Sequence, residues 1–305
     1  MRIGTRRSML ALAQAELVAE LLGGCEIIPI LTSGDRGEEP GDKSRWVREL
    51  EHALLREEID LAVHSAKDVP GELADGLSLL GAPARAAAED ALCGASSLDA
   101  LHPGARVGTS SLRRAAQLRC AREDLEVVAM RGNVDTRLRK LAAGEFDAIV
   151  LARAGLQRLD REAAIGAVLD PDDFVPAPGQ GTLALQGRTG DSSVSDAVLQ
   201  ITDPQAFACL TSERAVAREL SADCHTPLGA HARPAGGATT ADSDGAMRLR
   251  AWVGLPDGSA WASDEQAGRL DDPGALGRAL AARLRLAGAG EMLEHAQEMS
   301  TLAGG

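Results

Sequence analysis

Between Arg106 and Lys140 the sequence holds nine basic residues against Glu123, Asp124, Glu126 and Asp135, in a chain whose formal net charge is −13. Guanidinium forks grip carboxylate and phosphate through paired N–H donors, so a basic stretch inside an acidic protein points to a local anion site. Arg113, Arg114, Arg131 and Arg137 lie beside expected strand ends or in the first turns of expected helices, where free backbone N–H groups and the helix dipole also favour negative charge. Arg119, Arg122 and Arg139 read as solvated helix faces. Gly108-Thr109-Ser110-Ser111 gathers hydroxyls and amides before a helix, a pattern that serves equally as an anion nest or an ordinary N-cap. Lys67-Asp68 closes an apolar run with a cation beside a carboxylate. It is either a structural ion pair or an acid placed to steady a cation and move a proton. Cys224 sits in the polar turn Ser221-Ala-Asp-Cys-His-Thr-Pro227 after a helix, and is either an exposed thiol fit for covalent chemistry or a passive cysteine.

Two other patterns carry no chemistry. Gly37 to Ser44 approximates a phosphate-binding loop around Lys43, but Asp42 stands where glycine is required and sets a negative side chain against the phosphate. Cys209, Cys224, His225 and His231 match no common zinc spacing, so no metal is expected.

These residues need a scaffold, and the pattern of the chain supplies one. Expected strands at 2–5, 25–31 and 59–63 alternate with expected helices at 8–22 and 47–58, and 64–70 follows the third strand as a turn. An Ala-, Pro- and Asp-rich crossover at 81–101, with a boundary near Ala88, precedes a second alternating unit. That unit runs from Val107 into a helix ending near Arg122, a strand at 125–130, a helix at 136–143 and a strand at 147–151. Alternation of this kind implies parallel sheets with helices on their faces, and ligands outside the carboxyl ends of the strands. The segment 171–181 holds Pro176, Pro178, Gly179 and Gly181 and reads as a linker returning between lobes. Beyond it, helices at 206–220 and 276–286 and a hairpin around Pro256-Asp257-Gly258 make a small α+β unit, with a polar loop at 236–245.

The 305 residues suffice for two or three domains. With no Tyr, three Phe and three Trp, base-stacking surfaces are scarce, and the acidic balance repels nucleic acid and anionic membrane. No run reaches the roughly 18 apolar residues of a membrane span. Arg2, Arg6 and Arg7 before the apolar run 9–15 outline a weak secretion signal, but Gln14 and Glu16 interrupt it and Leu10, Leu17 and Leu21 share one helical face behind Ser8. Five cysteines without CxxC spacing fit a reducing compartment, and the expectation is a cytoplasmic protein whose cysteines are mostly buried.

Five segments together resemble the porphobilinogen deaminase (hydroxymethylbilane synthase) family: Arg2-Ile-Gly-Thr-Arg-Arg-Ser8, Asp60-Leu-Ala-Val-His-Ser-Ala-Lys-Asp-Val-Pro70, Val107-Gly-Thr-Ser-Ser-Leu-Arg-Arg114, Arg131-Gly-Asn-Val-Asp-Thr-Arg-Leu138 and Pro178-Gly-Gln-Gly181. The resemblance runs almost end to end. It implies an α/β fold of two periplasmic-binding-protein-like lobes with parallel-rich sheets, 1–86 with 182–200 and 87–181, plus a small α+β domain, 201–305. It implies a monomeric transferase of tetrapyrrole and heme biosynthesis that condenses four porphobilinogen molecules head to tail, releasing ammonia, without nucleic acid or membrane. It further implies a dipyrromethane cofactor bound to Cys224 through a thioether, with Lys67, Thr109, Ser110, Ser111, Arg113, Arg114, Arg131 and Arg137 holding its carboxylates. Arg6, Ser8, Ser65 and Gln180 are implied substrate contacts, and Asp68 the catalytic acid. Arg7, Met9 and Ala222-Asp223 depart from the family pattern as expected, and the loop 35–46 is shorter. On the residues alone, a non-catalytic two-lobed anion binder remains the alternative.

Overall fold

The structure, a computed structural model, describes residues 1–32, 44–222, 226–235 and 245–303. Cys224 and His225, the Lys43 loop, and the expected polar loop apart from Gly245 lie outside the described residues.

The first lobe begins with β1 (Arg2–Arg6), α1 (Met9–Leu21), β2 (Glu26–Ile30), α2 (Ser44–Leu55), β3 (Leu61–Ser65) and β4 (Leu77–Gly81). Ser8 caps α1 by accepting from Ala11 N, as its place before the apolar face predicts. β1 runs parallel to β2 and to β3, with Ile3 opposite Leu61. Both faces of β3 are covered, which is why Leu61, Ala62 and Val63 form an unbroken apolar run. Ile3, Val18, Leu61 and Val63 fill one face, and Leu50, Leu54, Ile59 and Ala62 the other.

The second lobe comprises β5 (Asp90–Cys93), β6 (Arg106–Gly108), α3 (Leu112–Ala121), β7 (Glu126–Val128), α4 (Val134–Ala142), β8 (Ala148–Ala152), α5 (Arg153–Arg158) and β9 (Ala167–Val168). β6 runs parallel to β7 and to β8. The chain then returns through the irregular 171–181 segment to β10 (Leu183–Arg188), which enters the first sheet between β3 and β4, giving the order β2-β1-β3-β10-β4. α6 (Ser192–Ile201) packs on that sheet through Val194 and Val198.

Two strands correct the simple parallel expectation. β10 is antiparallel to β3 and to β4, and β5 is antiparallel to β8 and to β9. β5 lies within the 81–101 crossover, where four residues, Asp-Ala-Leu-Cys, are too short to show a period, yet all four are buried.

The crossings between the lobes lie against each other, with Ala86 N donating to Gly181 O at 3.3 Å. Gly181 has φ +86, and a Cβ there would stand 2.6 Å from Ala86 O, so the close approach of the two strands of linker requires glycine.

The third unit is α7 (Pro204–Glu219), β11 (Leu228–Pro234), β12 (Ala246–Gly254), β13 (Trp261–Arg269), α8 (Pro273–Leu286) and α9 (Ala289–Ala303). Its antiparallel sheet, order β11-β12-β13, packs Met247 and Leu249 against Val216, Leu280 and Leu284 of the helices. Glu213 of α7, wholly buried, accepts from Arg85 Nη1 at 2.6 Å, Gly179 N at 2.6 Å and Ala232 N at 2.7 Å, tying this unit to both linkers. Cys93 and Cys209 are buried, and burial raises their thiols to about 11 and about 12; Cys25 and Cys120 are half-buried. Among the described residues, no helix is long and apolar enough to cross a membrane.

Candidate active site

The parallel register brings the carboxyl ends of β1 and β3 side by side, and each end delivers polar residues. β1 runs directly into Arg6, Arg7 and the Ser8 cap; β3 runs into Ser65 and a single 3-10 turn, Ala66–Asp68. The second lobe repeats the plan. β6 delivers Thr109, Ser110 and Ser111 to the start of α3, β7 delivers Arg131 and Asn133 to α4, and β8 leads into α5 with Arg158. Both sets of strand ends open on one cavity of about 940 Å³. Such a volume lies within the range of small-molecule sites.

Seven cationic side chains line the cavity: Arg6, Arg7 and Lys67 from the first lobe, and Arg114, Arg131, Arg137 and Arg158 from the second. Two carboxylates, Asp68 and Asp135, join them. Arg137 Nε donates to Gly132 O at 2.7 Å, and burial beside the Arg114 charge pushes its guanidinium down to about 10. Arg158 Nη2 donates to Gly181 O at 2.7 Å, and burial lowers it to about 10 as well. Both remain charged at neutral pH. Arg7 and Arg131 have no hydrogen-bond or ion-pair partner among the described residues.

Of the sequence-derived site residues, Arg6, Ser8, Ser65, Lys67, Asp68, Ser110, Arg114, Arg131 and Arg137 line this cavity. Ser65 Oγ accepts from Gln14 Nε2 at 2.8 Å, which steadies the turn leading to Asp68. Arg113 does not line the cavity. It is 3% exposed, donating to Asp90 Oδ2 at 2.8 Å and to Val175 O at 2.7 Å, because β5 places Asp90 beneath the first turn of α3. Arg114 bonds the other oxygen of Asp90, Nε to Oδ1 at 2.9 Å, while its side chain reaches the cavity wall. Burial alone would raise the Asp90 carboxyl, but the charges and hydrogen bonds of the two arginines hold it down at about 2.

Thr109 and Ser111 are also drawn inward. Thr109 Oγ1 accepts from Ser111 N, and Ser111 Oγ accepts from Arg114 N as the α3 cap. Ser110 Oγ donates to Met130 O, and of the three residues Ser110 alone lines the cavity. Gln180 is wholly buried behind the wall. Its Nε2 donates to Ala88 O and Asp90 Oδ1, while its Oε1 accepts from Arg114 Nη2 at 3.4 Å and Lys67 Nζ at 3.5 Å, linking the two lobes. Cys224, outside the described residues, follows α7 by a few positions.

Sequence reasoning passed over Asp90, Gln14 and Arg158. Asp90 carried no signal, since its partners are distant in the chain; Arg158 sits in the last turn of α5, away from the strand ends and first turns that selected the other arginines.

The chain matches two family models: porphobilinogen deaminase, dipyromethane cofactor binding domain, over residues 1–196, and porphobilinogen deaminase, C-terminal domain, over residues 207–285. Similar curated proteins carry the name porphobilinogen deaminase. The one from Deinococcus radiodurans is 41% identical over 312 residues, 97% of this chain and 98% of the relative. That from Sorangium cellulosum is 45% identical over 285 residues, covering 89% and 92%, and that from Thermus thermophilus 42% over 299 residues, covering 95% and 97%. Among solved structures, an ABC transporter periplasmic substrate-binding protein from Coxiella burnetii matches 70% of this chain and 96% of its own, at 14% identity and a TM-score of 0.41.

Proposed function

We propose that this chain, which belongs to the porphobilinogen deaminase family, joins porphobilinogen molecules head to tail into linear hydroxymethylbilane in the cavity between its two lobes. The family is one of transferases with a dipyrromethane-binding domain. We assign the domains as 1–86 with 182–200, 87–181 and 201–305, in accord with β10 and α6 packing on the first sheet. The protein acts as a cytoplasmic monomer, a reading that extends the family resemblance and the absence of CxxC spacing among the five cysteines.

Every pyrrole unit carries acetate and propionate arms, and a cavity lined by seven cations fits a polyanion of this kind. Once attached to Cys224, dipyrromethane supplies the ring carbon on which the product grows. The chain's own residues do the rest. Arg131, Arg137 and Arg158 hold carboxylates from the second lobe, joined by Ser110 once its hydroxyl turns from Met130 O, and Arg6, Ser8, Ser65 and Lys67 hold those of the incoming substrate from the first. Thr109, Ser111, Arg113 and Gln180 act one layer behind, orienting Arg114 and the α3 turn. In each of four rounds the aminomethyl carbon of a substrate loses its nitrogen as ammonia and bonds a free pyrrole ring carbon, which gives up a proton, and one water then frees the four-ring product and supplies its hydroxyl. Asp68 accepts hydrogen bonds from pyrrole N–H groups, offsets the positive charge that develops as ammonia leaves, and takes part in removing the ring proton.

The observation that carries this reading is Asp68 itself, a carboxylate on the turn after β3 among the cations of the cavity. A pocket built only to bind anions has no use for it. Intact mass spectrometry of the purified protein tests the covalent part: the mass exceeds that of the sequence, and the excess disappears in Cys224→Ser. Asp68→Asn keeps the excess mass but loses turnover by at least ~100-fold, the low end for a positioned acid or base. A mass equal to the sequence, or an Asp68→Asn variant that turns over normally, overturns the reading.

A further inference from the structure

α7 enters the cavity wall nowhere, yet one of its side chains bonds the segment that follows the proposed acid. Arg214 of α7 extends its guanidinium to the backbone just after the Ala66–Asp68 turn. Its Nη1 donates to Val69 O at 3.2 Å, and its Nη2 donates to Pro70 O at 2.7 Å and Gly71 O at 3.1 Å. Three successive carbonyls are thus held by one planar fork, and no carboxylate forms an ion pair with it among the described residues. Burial, aided by the neighbouring Arg218 charge, lowers Arg214 to about 10, so it stays cationic at neutral pH and its donors stay aimed at the carbonyls.

The arrangement is selective. Pro70 has no N–H and a fixed φ, so the loop after Asp68 cannot secure itself through a regular hydrogen-bond ladder, and the guanidinium substitutes for one. Arg218, one turn further along α7, packs its Cγ 3.4 Å from where a Gly71 Cβ would stand and donates no bond to the loop. The same helix carries Glu213, which binds the Gly179 amide of the return linker, and leads within a few residues to Cys224.

We propose that Arg214 is a positioning residue: by fixing the carbonyls of Val69, Pro70 and Gly71 it sets the offset between α7, which leads to the cofactor thiol, and the turn that presents Asp68 to the cavity. The proposal rests on the reading of Asp68 and Cys224 given above, and its test includes a measurement independent of that reading.

In full-length protein, Arg214→Met raises amide hydrogen exchange in peptides spanning 69–76 at least ~10-fold, with α7 and β3 unchanged. With porphobilinogen as substrate, the same variant lowers kcat about 10-fold or more while KM stays within about 2-fold, and it keeps its excess mass. Arg214→Lys, which retains the charge but lacks the fork, recovers part of kcat. Arg218→Met leaves both parameters unchanged. Unaltered exchange in 69–76 overturns the proposal whatever the catalytic result. So does a loss of kcat in Arg214→Met that vanishes at a lower temperature where the variant is fully folded, or a Lys variant no better than Met. If Asp68→Asn is active while Arg214→Met loosens the loop, the function assigned to Asp68 fails and the positioning stands.

Discussion

Arg113 and Arg137 belong to the same basic segment and end in opposite surroundings. Arg113, with Arg114, closes around Asp90 in a knot sealed by Gln180, where each guanidinium has a carboxylate oxygen. Among the described residues, Arg137 and Arg131 face the cavity with no carboxylate bonded to them. The first pair shares one carboxylate, which offsets one of its two charges, and shapes the wall. The second keeps its charge for whatever enters. A count of cations along the chain therefore overstates the anion-binding capacity of this region, because part of it answers an acid supplied by a strand of the same lobe.

The largest effect that separates the two falls on Asp90. Replacing it with Asn leaves Arg113, and most of Arg114, as buried charge without compensation, so unfolding free energy should drop by about 3–5 kcal/mol in urea titration. Unchanged stability would mean that the knot is not what holds α3 to β5.

Acid separates them next. Burial holds His64 at about 4 and His231 at about 3, with the Arg85 charge adding to the effect at His231. The native state thus takes up fewer protons than the unfolded chain between the ordinary histidine value of 6.5 and those values. Stability is full above pH 6.5 and falls as pH drops, by about 1.4 kcal/mol per unit for each ring at most. Asp90, held at about 2, contributes above its ordinary 3.8 and loses that contribution only as pH falls toward 2. Unfolding measured from pH 7 to 4 should therefore weaken while the knot stays ionised, and His64→Gln should flatten part of the slope.

Arg137→Met comes third. A charge-assisted bond is worth about 1.5–3 kcal/mol, so KM for porphobilinogen should rise about 10- to 100-fold, with the melting temperature unchanged. Arg131→Met should behave alike. A fall in melting temperature with KM unaltered would move Arg137 into the structural class with Arg113.

Salt gives the smallest contrast. Raising KCl from 0.05 to 0.5 M shortens the Debye length severalfold, so KM should rise a few-fold while the unfolding midpoint barely moves, because the knot lies out of solvent. Equal sensitivity of both would erase the distinction.

Much of this was readable along the chain. The strand-helix alternation, the Ser8 cap, the return linker and the β12–β13 hairpin follow from local patterns, and the strand-end rule placed Asp68, Lys67, Arg131 and Arg137 on the cavity. What local patterns could not reveal depends on partners remote in sequence. Whether Arg113 meets solvent or Asp90 is decided by how β5 pairs with β8, and β5 is too short to announce itself. Thr109 and Ser111 offered hydroxyls that fit an anion nest and a cap equally well, and backbone amides took them. Arg214 lay in a helix far from every motif, and only its bonds to 69–71 mark it.

The placement of β10 between β3 and β4 bears on how the protein is made. β4 finds no neighbour in its sheet except β10, and β10 begins roughly 100 residues later, after the second lobe's strands have all been laid down. At ribosomal speed that interval is about 5–20 s. Throughout it the edges of β3 and β4 that β10 will pair have only water as a hydrogen-bond partner in this sheet. The nascent first lobe must therefore wait for the second, and a chaperone that shields those edges has its longest task at that stage of translation.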